Sequence, residues 1–110
     1  AKKIAELDIG LSVVIKDYSV IAVEAIEGTD ECIKRAGLLL GNKNGFILVK
    51  VARPHQDFRF DLPVIGEKTI KNVSEAGGHI IAIESGTTLL VDKEKSIETA
   101  KKLDISIIGV

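Results

Sequence analysis

Polar Ser12 and Lys16 bound the apolar, β-branched run Val13-Val14-Ile15, and that pattern predicts a strand over residues 12–16. Asp17-Tyr18-Ser19 reads as a turn, and residues 20–26 return as a second strand, so 12–26 predicts a hairpin. Glu27-Gly28-Thr29-Asp30 forms a loop that opens a helix running to about Leu40. Thr29 is placed as its N-cap, and Asp30 and Glu31 suit the positive end of the helix dipole. The Gly41-Asn42-Lys43-Asn44-Gly45 cluster is a turn, and residues 46–51 form a strongly apolar strand. A helix fits residues 68–76 and is stopped by Gly77-Gly78. Residues 80–84 read as a buried strand, and Gly86-Thr87 turns into a further strand over 88–91. Asp92 caps a last helix over 93–103, and residues 105–110 close the chain as an apolar strand. A hairpin followed by alternating strands and helices predicts an α/β class: one compact domain with a mixed sheet and helices packed on it.

The next most telling stretch is Arg53-Pro-His-Gln-Asp-Phe-Arg-Phe-Asp-Leu-Pro63. If it is extended, Asp57, Arg59 and Asp61 share one face, and Phe58, Phe60 and Leu62 share the other. Pro54 and Pro63 bracket the ribbon and keep it out of a helix. An Asp/Arg/Asp front can hold a cation and an anionic oxygen side by side; a salt-bridged edge strand fits the same pattern.

Other residues add candidate chemistry. Glu24 interrupts an apolar run, so its carboxylate needs a partner such as Arg35 or Lys50, a metal ion, or a cavity. Glu24 and Glu27 precede Asp30 at a helix start, and the Gly28-Thr29 backbone offers a generic phosphate cradle. The run Ile21-Ala-Val-Glu24 is echoed by Ile81-Ala-Ile-Glu84, each ending an apolar strand in a carboxylate, where ligands often gather in α/β sheets; chance similarity of two Ile-rich strands is the simpler account. His55 lies beside the ribbon and could serve as acid or base, whereas His79 reads as structural. No zinc spacing, P-loop or Ser/His/Asp order is present, so a metal here would be Mg²⁺ or Mn²⁺ on carboxylates.

Composition narrows the classes. The 110 residues make one domain, and 45% hydrophobic with 28% charged residues is an ordinary globular balance. A net charge of −1 offers no basic field for nucleic acid, and no segment approaches a membrane span, which leaves peripheral contact at most. The single cysteine, Cys32, fits a reducing cytoplasm and is expected to be a buried thiol rather than a catalyst. The chain has no Met and opens in Ala-Lys-Lys-Ile-Ala-Glu-Leu-Asp, like the last turns of a helix already under way. It is expected to be a piece of a longer protein.

Ala22-Val-Glu-Ala-Ile-Glu-Gly-Thr-Asp30, Lys50-Val-Ala-Arg-Pro54, Gln56-Asp-Phe-Arg-Phe-Asp-Leu-Pro63, Ile65-Gly66 and Ile83-Glu-Ser-Gly86 together resemble the C-terminal domain of the LpxI-type UDP-2,3-diacylglucosamine pyrophosphatases. The motifs run in the family's order over nearly the whole chain. The resemblance implies a catalytic-type domain over residues 1–110, with an additional N-terminal domain of nucleotide-binding type in the parent. It implies hydrolysis of the substrate's pyrophosphate to lipid X and UMP in lipid A synthesis, dependence on a divalent cation, and a cytoplasmic site of action that could adjoin the inner membrane.

Position by position, the family's patterns fall on Gln56, Asp57, Arg59, Asp61, Leu62 and Pro63, and on Glu27, Gly28, Thr29 and Asp30. Asp57 and Asp61 would then hold Mg²⁺ or Mn²⁺, with Glu27 or Asp30 completing its shell or orienting water. Arg59 would stabilise charge on a phosphate oxygen, so Asp57, Arg59 and Asp61 form the catalytic set. Gly28, Thr29, Lys50 and Gln56 would contact the sugar-nucleotide or acylated-sugar substrate. Leu11 stands where the family usually has Gln, and His55 where it usually has Gly. Two further readings accompany the enzyme: a domain that binds a nucleotide-sugar or acyl-sugar phosphate without hydrolysing it or with altered specificity, and a dimerisation domain whose apolar strands pair in a homodimer. Isolated from its parent, the domain is expected to be inactive.

Overall fold

The computed structural model describes residues 1–41, 45–52, 64–86 and 88–110. The ribbon at 53–63 and the turn residues 42–44 lie outside the described residues. Eleven elements follow in order: α1 (Lys2–Glu6), β1 (Ser12–Lys16), β2 (Ser19–Val23), α2 (Thr29–Leu39), β3 (Phe46–Lys50), β4 (Val64–Ile65), α3 (Glu67–Ala76), β5 (Gly78–Ile83), β6 (Leu89–Leu90), α4 (Lys93–Lys102) and β7 (Ser106–Gly109).

The main sheet has the order β2-β1-β3-β5-β7. β1 is antiparallel to both β2 and β3, whereas β3, β5 and β7 run parallel. The sheet is therefore mixed, as the hairpin-then-alternation pattern predicts. The parallel half is joined through α3 and α4, since parallel neighbours need a crossover. Residues 88–91 depart from expectation. Only Leu89 and Leu90 pair there, and they pair with β4 in a separate two-stranded ribbon rather than joining the main sheet.

Register explains which side chains meet. Val14 lies opposite Leu48, Leu48 opposite Ile81, and Ile81 opposite Ile107, so one row crosses four strands on a single face. The helices pack there: α2 on β1 and β2, α3 on β5, α4 on β7, with α3 touching both other helices. Ile33, Ala36, Ile70, Val73 and Ala100 supply the helical side of this core. α3 stops where Gly77 takes a left-handed conformation at φ 99°, which a residue lacking Cβ adopts at little cost.

The hairpin turn is tight. Asp17 and Tyr18 have φ of 50° and 65°, as a two-residue turn matching strand twist requires. Tyr18 is fully exposed, so no packing compensates its backbone. Tyr18→Gly should therefore stabilise the domain by about 0.5–1 kcal/mol. Urea unfolding measures this, and an unchanged or lower midpoint would show that the turn stores no such strain.

Candidate functional site

The carboxyl ends of β3 and β5, the start of β1, the end of β2 and the N-terminus of α2 share one edge of the sheet. Ser12 pairs with Lys50, and Lys50 with Ile83, so three strands bring these ends level. Ligands gather at this edge in α/β folds, outside the carboxyl ends of parallel strands.

Thr29 is the hub of the edge. Gly28, at φ 91°, occupies the N-cap position of α2 and has no side chain with which to cap the helix. Thr29 is instead the first helical residue, contrary to its expected capping role. Its hydroxyl is drawn into the sheet, 3.0 Å from Ser12 Oγ, and accepts from Lys50 Nζ at 3.2 Å. It donates to Glu24 Oε2 at 3.4 Å, a long and weak bond. A threonine hydroxyl has one proton, so with that proton on Glu24 the Ser12 hydroxyl is the donor to Thr29. Ser12 is fully buried, which shields the inner end of the chain Ser12–Thr29–Glu24, whereas Thr29 and Glu24 are partly exposed.

Glu24 finds partners other than the cations expected from the sequence. Its Oε1 accepts from the Leu11 amide at 3.0 Å and its Oε2 from Thr29. The Leu11 backbone also accepts from the Val51 amide at 2.9 Å. Both contacts of Leu11 are main-chain, so neither is made by its side chain. Arg35 pairs with Glu27 at 2.7 Å and donates to the Val23 carbonyl at 2.8 Å.

The Arg35 hydrogen bond is the main cause that holds the Glu27 carboxyl below its usual range. A depressed carboxyl stabilises the fold above its unfolded value, and that contribution is lost as pH falls through the folded one. Both side chains are partly exposed, so solvent screens the pair. Glu27→Gln should lower the thermal midpoint slightly at pH 7, and the difference should shrink and vanish as the pH falls through the lowered folded-state value. A difference that persists in acid would assign the effect to another contact.

Asp30 accepts from Thr69 Oγ1 at 3.3 Å and lies 3.7 Å from Lys68 Nζ, so α3 braces the α2 start. Lys50 also donates to the Val64 carbonyl at 3.1 Å. Of the sequence-predicted site residues, the structure thus links Thr29 directly to Lys50, with Gly28 and Asp30 on either side of Thr29. Glu27 faces Arg35. Gln56, Asp57, Arg59 and Asp61 lie outside the described residues, as does His55. Among the described residues, no three His, Cys, Asp or Glu side chains come together as a metal-binding group. Cys32 is buried in the core, and burial pushes its thiol up to about 11, which suits packing rather than nucleophilic chemistry.

Sequence reasoning passed over one further pair. Glu84 Oε1 accepts from the Ala52 amide at 3.2 Å, and its Oε2 pairs with Lys2 at 2.9 Å. The Ile-Ala-Ile-Glu echo carried the signal, since it already set a carboxylate at the end of an apolar strand. Among the described residues no helix is long and apolar enough to cross a membrane.

Comparison with known proteins agrees with this architecture. A solved structure of dCMP deaminase from the cyanophage S-TIM5 superposes with a TM-score of 0.56 over 99% of this chain and 93% of its own, at 12% identity, which speaks to the fold alone. UDP-2,3-diacylglucosamine pyrophosphatase LpxI of Caulobacter vibrioides is 39% identical over the whole chain. The chain spans 41% of that relative's length. The model of the LpxI C-terminal domain matches residues 1–108, and the chain belongs to the LpxI C-terminal domain family.

Proposed function

We propose that this domain supplies the catalytic half of a pyrophosphatase that cleaves UDP-2,3-diacylglucosamine to lipid X and UMP with the help of Mg²⁺ or Mn²⁺. The observation that carries the reading is the Thr29–Lys50 contact at the carboxyl edge of the sheet, in a chain 39% identical to a pyrophosphatase of that name. A fixed ammonium beside an uncapped helix start suits a diphosphate: Lys50 meets its charge, and the first amides of α2 meet its oxygens. Asp57, Arg59 and Asp61 follow Lys50 by seven to eleven residues in the chain. Arg59 would bind a phosphate oxygen and stabilise the charge that grows on it.

Asp57 and Asp61 would hold the cation with Asp30, whose partly exposed carboxylate is oriented by Thr69. For Glu27 to join them, its contact with Arg35 would have to give way. A bound divalent ion would supply Lewis acidity and lower the pKa of a water molecule. The parent would act from the cytoplasm, with the remaining part of the protein contributing to substrate binding and a homodimer as its assembly.

The test uses the full-length parent and UDP-2,3-diacylglucosamine. UMP and lipid X should appear in equal amounts with Mg²⁺ or Mn²⁺, and release should stop with EDTA and resume on adding metal back. Tight binding of the intact substrate without release would favour a binding domain instead.

A further inference from the structure

The described residues on either side of the 53–63 segment are held by charged side chains. Ala52 precedes it, and Glu84 Oε1 accepts from the Ala52 amide at 3.2 Å. The Ala52 carbonyl accepts from Lys2 Nζ at 3.0 Å, and Lys2 pairs in turn with Glu84 Oε2 at 2.9 Å. Val64 follows the ribbon, and its carbonyl accepts from Lys50 Nζ at 3.1 Å. Glu84 is itself fixed at the end of β5, where its amide donates to the Lys50 carbonyl at 3.1 Å and its carbonyl accepts from the Thr88 amide at 3.2 Å. Its side chain is only 22% exposed.

A carboxylate with both oxygens committed, one to a backbone amide and one to an ammonium, makes a charge-assisted hold with little rotational freedom. We propose that Glu84 is a positioning residue for the ribbon, fixing Ala52 against β5, and that Lys2 closes the hold from α1. This rests on the reading that Asp57, Arg59 and Asp61 carry the chemistry. Residue 53 follows Ala52 in the sequence, so a shift at Ala52 carries to the start of the segment bearing all three. Glu84 touches no reacting atom in this account; it acts through the backbone.

The test compares the full-length parent with Glu84→Ala, Glu84→Asp and Glu84→Gln, reading kcat, KM and amide exchange. Glu84→Ala should lower kcat by about tenfold to a hundredfold with KM changed less than about threefold, as misplacement of reacting groups does. Exchange at the Ala52 amide should quicken by about tenfold or more, because its acceptor is gone. Glu84→Asp keeps the charge beside Lys2 but draws the carboxylate back from Ala52. It should reproduce much of the kcat loss even if Glu84→Ala does not fold. Glu84→Gln keeps an acceptor for Ala52 and should retain about a third or more of kcat.

A tether of α1 alone would lower the thermal midpoint and leave kcat per folded molecule unchanged. That result in Glu84→Ala or Glu84→Asp overturns the proposal. A wild-type parent that releases no UMP defeats the pyrophosphatase reading instead. Exchange then decides the hold by itself: unchanged exchange at Ala52 in folded Glu84→Ala or Glu84→Asp overturns it.

Discussion

In the full-length parent, Lys50→Met should lower UMP release by about a hundredfold to a thousandfold, the range seen when one group that stabilises transition-state charge is lost. The loss should fall mainly on kcat. Lys50 lies on β3, where its stem follows the row of Ser12 and Ile83 and its ammonium reaches Thr29 Oγ1 and the Val64 carbonyl. Methionine fills about the same length without the charge, so the sheet should persist. Lys50→Arg keeps the charge but spreads it over a planar fork that matches neither contact, and it should rescue only part of the activity. Steady-state kinetics with circular dichroism as a check on folding reads both. A Lys50→Met variant with wild-type kcat would remove this ammonium from the mechanism.

Gly10→Ala should be the most damaging small substitution in the domain. A Cβ at Gly10 would run into the Glu24 carbonyl oxygen and lie within 2.8 Å of the Glu24 carbonyl carbon. Both are backbone atoms and cannot swing aside. The chain from Gly10 to Ser12 would have to move away from residue 24. That would pull the Leu11 amide from Glu24 Oε1, and the Ser12 carbonyl from the Glu24 amide that it holds at 2.9 Å. Overpacking together with a disturbed buried polar network costs about 2–4 kcal/mol. The damage should also reach the site, because Glu24 shares Thr29 with Lys50. Urea unfolding should show the lower stability, and the folded fraction should turn over more slowly. A loss below about 0.5 kcal/mol would mean that the contact relaxes easily.

The hairpin, α2 and β3 were legible in the sequence because each rests on local pattern. β1 occupies residues 12–16, as the β-branched run bounded by Ser12 and Lys16 predicts, and α2 starts at Thr29 where turn residues give way to a helical pattern. The parallel half followed from strands and helices taking turns. The β4–β6 ribbon was not legible, since two residues carry no period and their pairing depends on where α3 delivers the chain. Side-chain partners were harder still. Glu24 was expected to need a partner such as Arg35 or Lys50, a metal ion or a cavity; it takes the Leu11 amide and the Thr29 hydroxyl, while Arg35 goes to Glu27. Those choices depend on register across the sheet, which places Leu11 and Val51 beside one another. Lys2 and Glu84 are separated by most of the chain, and only the folded sheet brings them to Ala52. Thr29 had the sequence of a cap, yet an open helix start and a buried Ser12 drew its hydroxyl inward.

The proposed function puts the chemistry of a pyrophosphatase in this domain, on the segment following Lys50. The most direct measurement is UMP release from UDP-2,3-diacylglucosamine by the full-length parent, wild type against Asp61→Asn, each with Mg²⁺ and with Mn²⁺. Metal-dependent release by the wild type is expected, and none above background from a folded Asp61→Asn. Release by Asp61→Asn at the wild-type rate would contradict that placement and move the catalytic centre elsewhere in the parent.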